Sequence, residues 1–363
     1  MAKHRIAWLP GDGIGKDVLD ATKIVLDKIE FDAEYVHGDI GWEFWCKEGD
    51  PLPTRTIDLM KDTDAAMFGA ITSKPKMVAD KELDKTLQNK GYVYRSPIVR
   101  MRQLFDLYIC RRPCRAYPGN PLNYKENIDF VIFRENTEDL YSGVEYYPVP
   151  EEMLKIKGME KVARDAAISI KVNTPKGCRR IIEAAFDFAR KEKRKKVTCV
   201  HKANVVRATD GLFLEIFYDV AKSYSEIQPD DANVDSLCQW LLKRPHDYDV
   251  LVAPNLYGDI ISDLCAQMTG GLGFGSSGNI GVDYAVFEPT HGSAPKYAGM
   301  YKVNPIATVL AARMMLEWLG DTNAAKRVED AVSAVIREGK TRTYDMGGNA
   351  TSLEMAEAIA DKC

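Results

Sequence analysis

The sequence predicts an α/β protein, and three observations point there. Strand-like and helix-like segments alternate through much of the chain, as they do when helical crossovers link parallel strands. Apolar runs such as residues 249–253 carry the β-branched content of buried strands. A length of 363 residues allows about two domains and a sizeable core.

In order, residues 5–9 read as a strand, 10–15 as a tight glycine turn and 16–29 as an amphipathic helix. Residues 34–36 and 65–68 are further strands, separated by helical pattern. From Asp106 the texture changes, with strands at 107–109 and 130–133 and little helix between them. An extended stretch at 145–149 and a strand at 168–172 precede a long helix over 175–191. The basic run 191–196 follows at that helix's end, where cations suit the helix dipole. A strand at 197–200 leads into a helix over 211–223. Parallel α/β texture returns at Val250, and the chain ends in helices over 304–319 and 324–338. The simplest plan joins residues 1–112 and 253–363 into one domain and inserts a second, 113–252, between them.

Composition narrows the function. Hydrophobic content of 45% and charged content of 28% are those of an ordinary globular protein, and a net charge of −4 gives no reason to expect nucleic acid or an anionic membrane. The first apolar run, residues 6–9, is too short for a secretory leader or a membrane span. Eight scattered cysteines without a C-x-x-C pattern read as reduced thiols of a cytoplasmic protein.

The strand at 249–253 runs into Pro254-Asn-Leu-Tyr-Gly-Asp259, and Gly258 is expected to turn the chain so that Asp259 opens a helix. Asp263 lies four residues on, on the same helical face. Two such carboxylates suit a hard cation, Mg²⁺ or Mn²⁺, or else simply complement the helix dipole. Arg102, Arg112 and Arg134 lie at the ends of predicted elements beside apolar neighbours. Guanidinium forks pair bidentately with carboxylates, so if the three converged they would fit a di- or tricarboxylate; separately, each reads as a surface ion pair. Tyr141 and Lys202 each follow a predicted strand and could move protons, or else are simply a half-buried tyrosine and a surface lysine, while His201 reads as structural. Gly11, Gly13 and Gly15 have the spacing G-x-G-x-G, which misses the dinucleotide fingerprint and reads as a tight strand-to-helix turn. A polar loop over 288–297 offers Lys296 and Tyr297, with Tyr344 further on, as a cation and hydroxyls for an extra phosphate.

Taken together, the motifs resemble the isocitrate/3-isopropylmalate dehydrogenase family of metal-dependent β-decarboxylating dehydrogenases. The resemblance runs through Leu9-Pro-Gly-Asp-Gly-Ile-Gly15, Phe133-Arg-Glu-Asn-Thr-Glu-Asp139, Val200-His-Lys-Ala-Asn204 and Asn255-Leu-Tyr-Gly-Asp-Ile-Ile-Ser-Asp263. It continues through His291-Gly-Ser-Ala-Pro295 and Asp345-Met-Gly-Gly-Asn349, nearly the whole chain. It implies a doubly wound large α/β domain built from both chain ends, with an inserted smaller domain that forms a dimer interface. It implies that Ser96, Arg102, Arg112 and Arg134 hold substrate and that Asp235, Asp259 and Asp263 hold the metal. Tyr141 and Lys202 would be catalytic, with Lys202 and Asp235 reaching the site from the partner of a homodimer. The cofactor would lie on Glu288, His291, Gly292, Ser293, Ala294, Lys296, Tyr297, Val303, Asn304 and Tyr344.

For substrate, Ser96 and residues 106–110 and 134–145 resemble the isocitrate branch. Ile98 stands where that branch usually carries Asn, and Ser96-Pro-Ile-Val99 is closer to homoisocitrate dehydrogenases. Lys296-Tyr297, Val303 and Tyr344 match the NADP-dependent pattern, whereas an arginine often found four residues after that tyrosine is Gly348 here. The expectation is an NADP-dependent isocitrate dehydrogenase. Homoisocitrate and 3-isopropylmalate are the alternative substrates. A regulatory subunit is the non-enzyme alternative, against which the intact site residues count.

Overall fold

The computed structural model describes residues 3–363. In chain order its strands are β1 (His4–Gly11), β2 (Ala33–His37), β3 (Ala65–Ala70), β4 (Ile109–Arg115), β5 (Asp129–Glu135), β6 (Glu145–Tyr146), β7 (Ile168–Ser169), β8 (Lys196–His201), β9 (Gln228–Asn233), β10 (Val250–Ala253), β11 (Ser276–Ile280) and β12 (Ala285–Pro289). Ten of them form one sheet, ordered β2-β1-β3-β12-β11-β4-β5-β10-β8-β9, and β6 pairs with β7 apart from it. The four strands at one end are mutually parallel, as are β5, β10, β8 and β9 at the other. Antiparallel pairings of β11 and β4 join the two parallel blocks. The expected α/β class is borne out.

Strand periodicity explains why both faces carry helices. In β1, Ile6 and Trp8 face a cluster shared with helices Gly15–Lys28, Ile306–Trp318 and Thr322–Glu338. Ala7 and Leu9 face the opposite cluster, with Met60, Ile98 and Met101. At the other end, Val131 and Val252 pack on helices Pro175–Lys191 and Thr209–Ala221, while Ile132 and Leu251 pack on Val234–Lys243 and Asn255–Met268. Each fully buried Leu, Ile or Phe in these layers is worth about 1.5–3 kcal/mol.

Local differences from expectation have physical causes. The helix after β10 starts at Asn255, directly behind Pro254, so Gly258 is helical and makes no turn. Its glycine serves packing instead: a Cβ there would lie 2.6 Å from Cβ and Cγ of Arg134. β4 begins at Ile109, two residues later than the pattern predicts, because Leu107 N–H bonds back to the carbonyl of Arg102 at 2.9 Å. The strand expected over 168–172 is the two-residue β7. β9, β11 and β12, and the final helix Ser352–Ala360, were not anticipated. No helix among the described residues is long and apolar enough to cross a membrane.

The glycine turn behaves as a structural turn. Cβ atoms at Gly11, Gly13 and Gly15 would lie 1.9 Å from the Ala70 carbonyl oxygen, 2.0 Å from that of Ser293 and 2.0 Å from that of Pro10. All three close approaches are made to this chain's own backbone.

Candidate active site

The three arginines come together beside the end of β5. Arg134, 1% exposed, donates from Nε to Asn255 Oδ1 at 2.9 Å and from a terminal nitrogen to Asp259, while its Nη2 has no partner. Arg112, on β4, donates to Ser262 and lies 3.4 Å from both Asp259 and Asp263. Arg102, in helix Pro97–Leu104, donates to Asn279 Oδ1 at 2.9 Å and stands 3.5 Å from Glu288. Burial and then the charges of Arg102 and Arg112 lower the pKa of Arg134, the signature of cations held close together. Beneath them, burial of Cys110 opposes ionisation, yet Arg112, Arg134 and Arg102 outweigh it and bring the thiol below its ordinary value.

Asp259 and Asp263 share one helix face, as their spacing predicts. Burial disfavours the Asp259 carboxylate, but Arg134 and Arg112 more than compensate and hold its pKa below the ordinary value. Asp263 moves the other way: burial raises it, Arg112 only partly opposes this, and the charge of Asp259 adds to the rise. Tyr141 donates its hydroxyl to Asp259, and its ring lies 5.0 Å from the Arg134 guanidinium. Burial raises the Tyr141 pKa against the pull of Arg134, and the bond to Asp259 adds to the rise. The phenol is therefore a proton donor at neutral pH. Asp139, 1% exposed, sets this geometry by accepting from Leu140 N at 2.8 Å and from Leu256 N at 2.9 Å. It ties the turn carrying Tyr141 to the helix carrying Asp259.

Lys202 and Asp235 lie elsewhere. Lys202 follows β8, Asp235 opens helix Val234–Lys243, and the two pair with each other. Buried Asp210 accepts from Lys202 N at 2.7 Å and fixes that turn. No group of three or more metal-ligating side chains forms among the described residues, so Asp235 does not join Asp259 and Asp263 within one chain. The pair Asp259 and Asp263 supplies the hard oxygen donors a divalent cation needs, but only part of a donor set. Ser96 stands half-buried at the start of the helix that carries Arg102, and its side chain does not cap that helix. Ile98 turns away into the core with Leu9, Met101 and Val286.

A groove of about 620 Å³ brings together His291, Gly292, Ala294, Val303, Asn304 and Tyr344. His291 Nε2 has no partner there, and Ala294 adopts a left-handed φ of 34°. Both features fit a backbone shaped for a ligand rather than for its own packing. Burial lowers the His291 pKa, so its imidazole is neutral at pH 7. Tyr297 and Tyr344 approach at 5.8 Å at the rim, with Lys296 Nζ 4.7 Å from the Tyr297 ring centre. Ser293 bonds Thr72 at 2.6 Å, and its carbonyl accepts from Ile14 N at 2.9 Å. Glu288 is directed to the arginines instead, accepting from Asn279 at 2.7 Å.

Several supporting residues draw no role from their sequence position, although Asn136, Asn255 and Ser262 lie within the family motifs. Asn279 links Arg102, Glu288 and Asn136, the last at 3.0 Å, from a strand too polar to be recognised as one. Asn255 and Ser262 orient Arg134 and Arg112 from the helix that carries the aspartates, and a polar residue one turn from Asp259 was the available clue.

The family profile described as isocitrate/isopropylmalate dehydrogenase matches residues 5–360. The chain is 40% identical over 363 residues to a 3-isopropylmalate/3-methylmalate dehydrogenase of Methanocaldococcus jannaschii, covering 99% of this chain and 98% of that one. It is likewise 40% identical over 360 residues to an isocitrate/homoisocitrate dehydrogenase of Thermus thermophilus, covering 99% and 98%. It is 38% identical to protein DlpA of Legionella pneumophila over 99% of this chain, and spans 58% of that longer protein. The crystal structure of isocitrate dehydrogenase from Methylococcus capsulatus superposes with a TM-score of 0.87 at 40% identity, covering 99% of both chains. The relatives named as dehydrogenases carry different substrate names, and the chain belongs to the isocitrate/isopropylmalate dehydrogenase family.

Proposed function

We propose that the protein oxidatively decarboxylates isocitrate to 2-oxoglutarate and CO₂ with reduction of NADP. The observation that carries this reading is the cluster of Arg102, Arg112 and Arg134, which is buried, carries unpartnered donors and lies beside Asp259 and Tyr141. Such a cluster matches a substrate with several carboxylates. When bound, the nicotinamide supplies a hydride acceptor, and a divalent cation held by Asp259, Asp263 and Asp235 supplies Lewis acidity at the substrate oxygen. The arginines and Ser96 hold the carboxylates. Lys202 takes the hydroxyl proton, and Tyr141 returns one to the carbanion left by CO₂.

This reading requires a homodimer. Lys202 and Asp235 stay apart from the arginine cluster within one chain, so a second copy would deliver them. Val205, Tyr218 and Ile260 are exposed apolar side chains of the kind that copy would cover. The domain plan remains a large cofactor-binding domain, 1–112 with 253–363, and an inserted domain, 113–252, bearing the dimer interface. The enzyme is read as cytoplasmic, with its eight cysteines free.

The homoisocitrate reading rests on Ile98. Buried in the core, it leaves Ser96 as the polar side chain that this stretch offers a longer substrate tail. The test is reduced-cofactor absorbance with Mg²⁺, crossing isocitrate, homoisocitrate and 3-isopropylmalate with NADP⁺ and NAD⁺. Fastest turnover with isocitrate and NADP⁺ supports the proposal, and a preference for another acid or for NAD⁺ overturns that half of it. No turnover with any pair revives the regulatory-subunit reading.

A further inference from the structure

We propose that Lys302 is a second cation for the cofactor's 2′-phosphate, acting with Lys296 across the Tyr297–Tyr344 ring pair. The inference rests on the NADP reading and adds a specificity residue to it. Lys302 Nζ lies 5.4 Å from the Tyr297 ring centre and 5.2 Å from that of Tyr344, while Lys296 Nζ lies 4.7 Å from the Tyr297 ring. Two ammonium groups thus gather on one aromatic pair at the rim of the groove. Among the described residues neither is within 4.0 Å of a carboxylate, although lysines elsewhere on this surface commonly are. Both ammonium groups are thus free of a carboxylate partner, and a phosphate dianion seated on the ring pair would supply the counter-charge.

The chain has also fixed the backbone from which Lys302 projects. Tyr301 holds a left-handed φ of 49°, its N–H donates to Asp17 at 3.0 Å, and its hydroxyl donates to Asp20 at 2.8 Å. Its carbonyl accepts from Ser352 N at 2.6 Å, and the Val303 carbonyl accepts from the Ser352 hydroxyl. With both neighbours pinned, the ordering cost of binding falls on the lysine side chain alone.

Other cations near the rim are ruled out by geometry. At Gly348 a Cβ would lie 2.1 Å from the Arg342 carbonyl oxygen, so no side chain fits. Arg342 itself turns toward Gly339, where a Cβ would meet its Nη2 at 2.7 Å. His291 is neutral.

The test is calorimetric titration of wild type, Lys302→Ala and Lys302→Arg with 2′,5′-ADP and with 5′-AMP, at fixed ionic strength and without substrate. Wild type should prefer 2′,5′-ADP. Lys302→Ala should lose about tenfold in 2′,5′-ADP affinity with 5′-AMP unchanged, and Lys302→Arg should keep most of it. A wild-type preference that survives intact in Lys302→Ala overturns the role of Lys302 and leaves the NADP reading standing. Equal loss toward both ligands also overturns it, because the lysine would then be supporting the groove. No preference in wild type removes both.

Discussion

β4 presents two arginine-rich faces, and their difference separates a scaffold from a site. Its side chains alternate, so Arg111 and Arg115 point to one side while Cys110 and Arg112 point to the other. On the first side Arg111 meets Glu317 at 3.0 Å, Arg313 meets Glu317 at 2.9 Å, and Arg115 and the Tyr117 hydroxyl each meet Glu329 at 2.8 Å. These pairs line a cavity of about 250 Å³. On the second side Arg112 and Arg134 share Asp259, Asp263 stands 3.4 Å from Arg112, and Glu288 stands 3.5 Å from Arg102. On the first face Glu317 and Glu329 serve only to neutralise this chain's own cations. On the second, Asp259 and Asp263 are also the donors offered to a divalent cation, so a bound metal would leave the arginines unsatisfied and a bound acid would answer them.

Lys202 tests the comparison hardest, because within one chain it looks like the neutralised kind. It is paired with Asp235, yet it is assigned a proton in the reaction. Lys202→Met should cut turnover roughly 10²–10⁴-fold, the range of general acid–base catalysis, while NADP⁺ binding measured by fluorescence changes little. Near-normal turnover would place Lys202 with the scaffold.

Arg134→Gln attacks the unsatisfied face directly. It removes a fully buried cation and should lower kcat/KM by about 10²–10³-fold, as losing one partner of a buried charge pair does. Some stability will go with it, since Asp259 loses its nearest cation. A lowered melting temperature with kcat/KM unchanged would mean the cluster is structural after all.

The same contrast shows what could be read in the sequence. The helix Pro175–Lys191 was legible to the residue: Thr174 caps it, Pro175 opens it, and basic residues end it over a steady apolar face. β11 was not, because Ser276 to Ile280 is polar and owes its burial to the sheet around it and the helix Ile306–Trp318 packed on it. Arg102, Arg112 and Arg134 could be singled out, but their meeting depends on β4 running beside β5 and β11, a pairing no local pattern encodes. Gly258 was misread because glycine after a strand suggests a turn, whereas here it lets a helix rest on Arg134. Lys302 gave no signal at all, being one lysine before a buried valine.

Glu317→Gln probes the neutralised face, with the smallest effect of the three. Burial works against the Glu317 carboxylate, but Arg111 and Arg313 outweigh it and hold the folded-state pKa below the ordinary value. A carboxyl depressed on folding adds stability above its unfolded pKa and loses that stability as pH falls through the folded one. The variant should therefore be about 1–2 kcal/mol less stable at pH 7, less than a fully buried pair would cost because this one borders a cavity. That corresponds to a fall of about 1–3 °C in Tm, and the gap should close below the ordinary glutamate range of about pH 4. Thermal melts at pH 7 and pH 3, with KM for the substrate acid measured alongside at pH 7, decide it. An unchanged KM keeps the two faces of β4 distinct. A several-fold change in KM with no change in Tm would show that the rear ion pairs serve the reaction too.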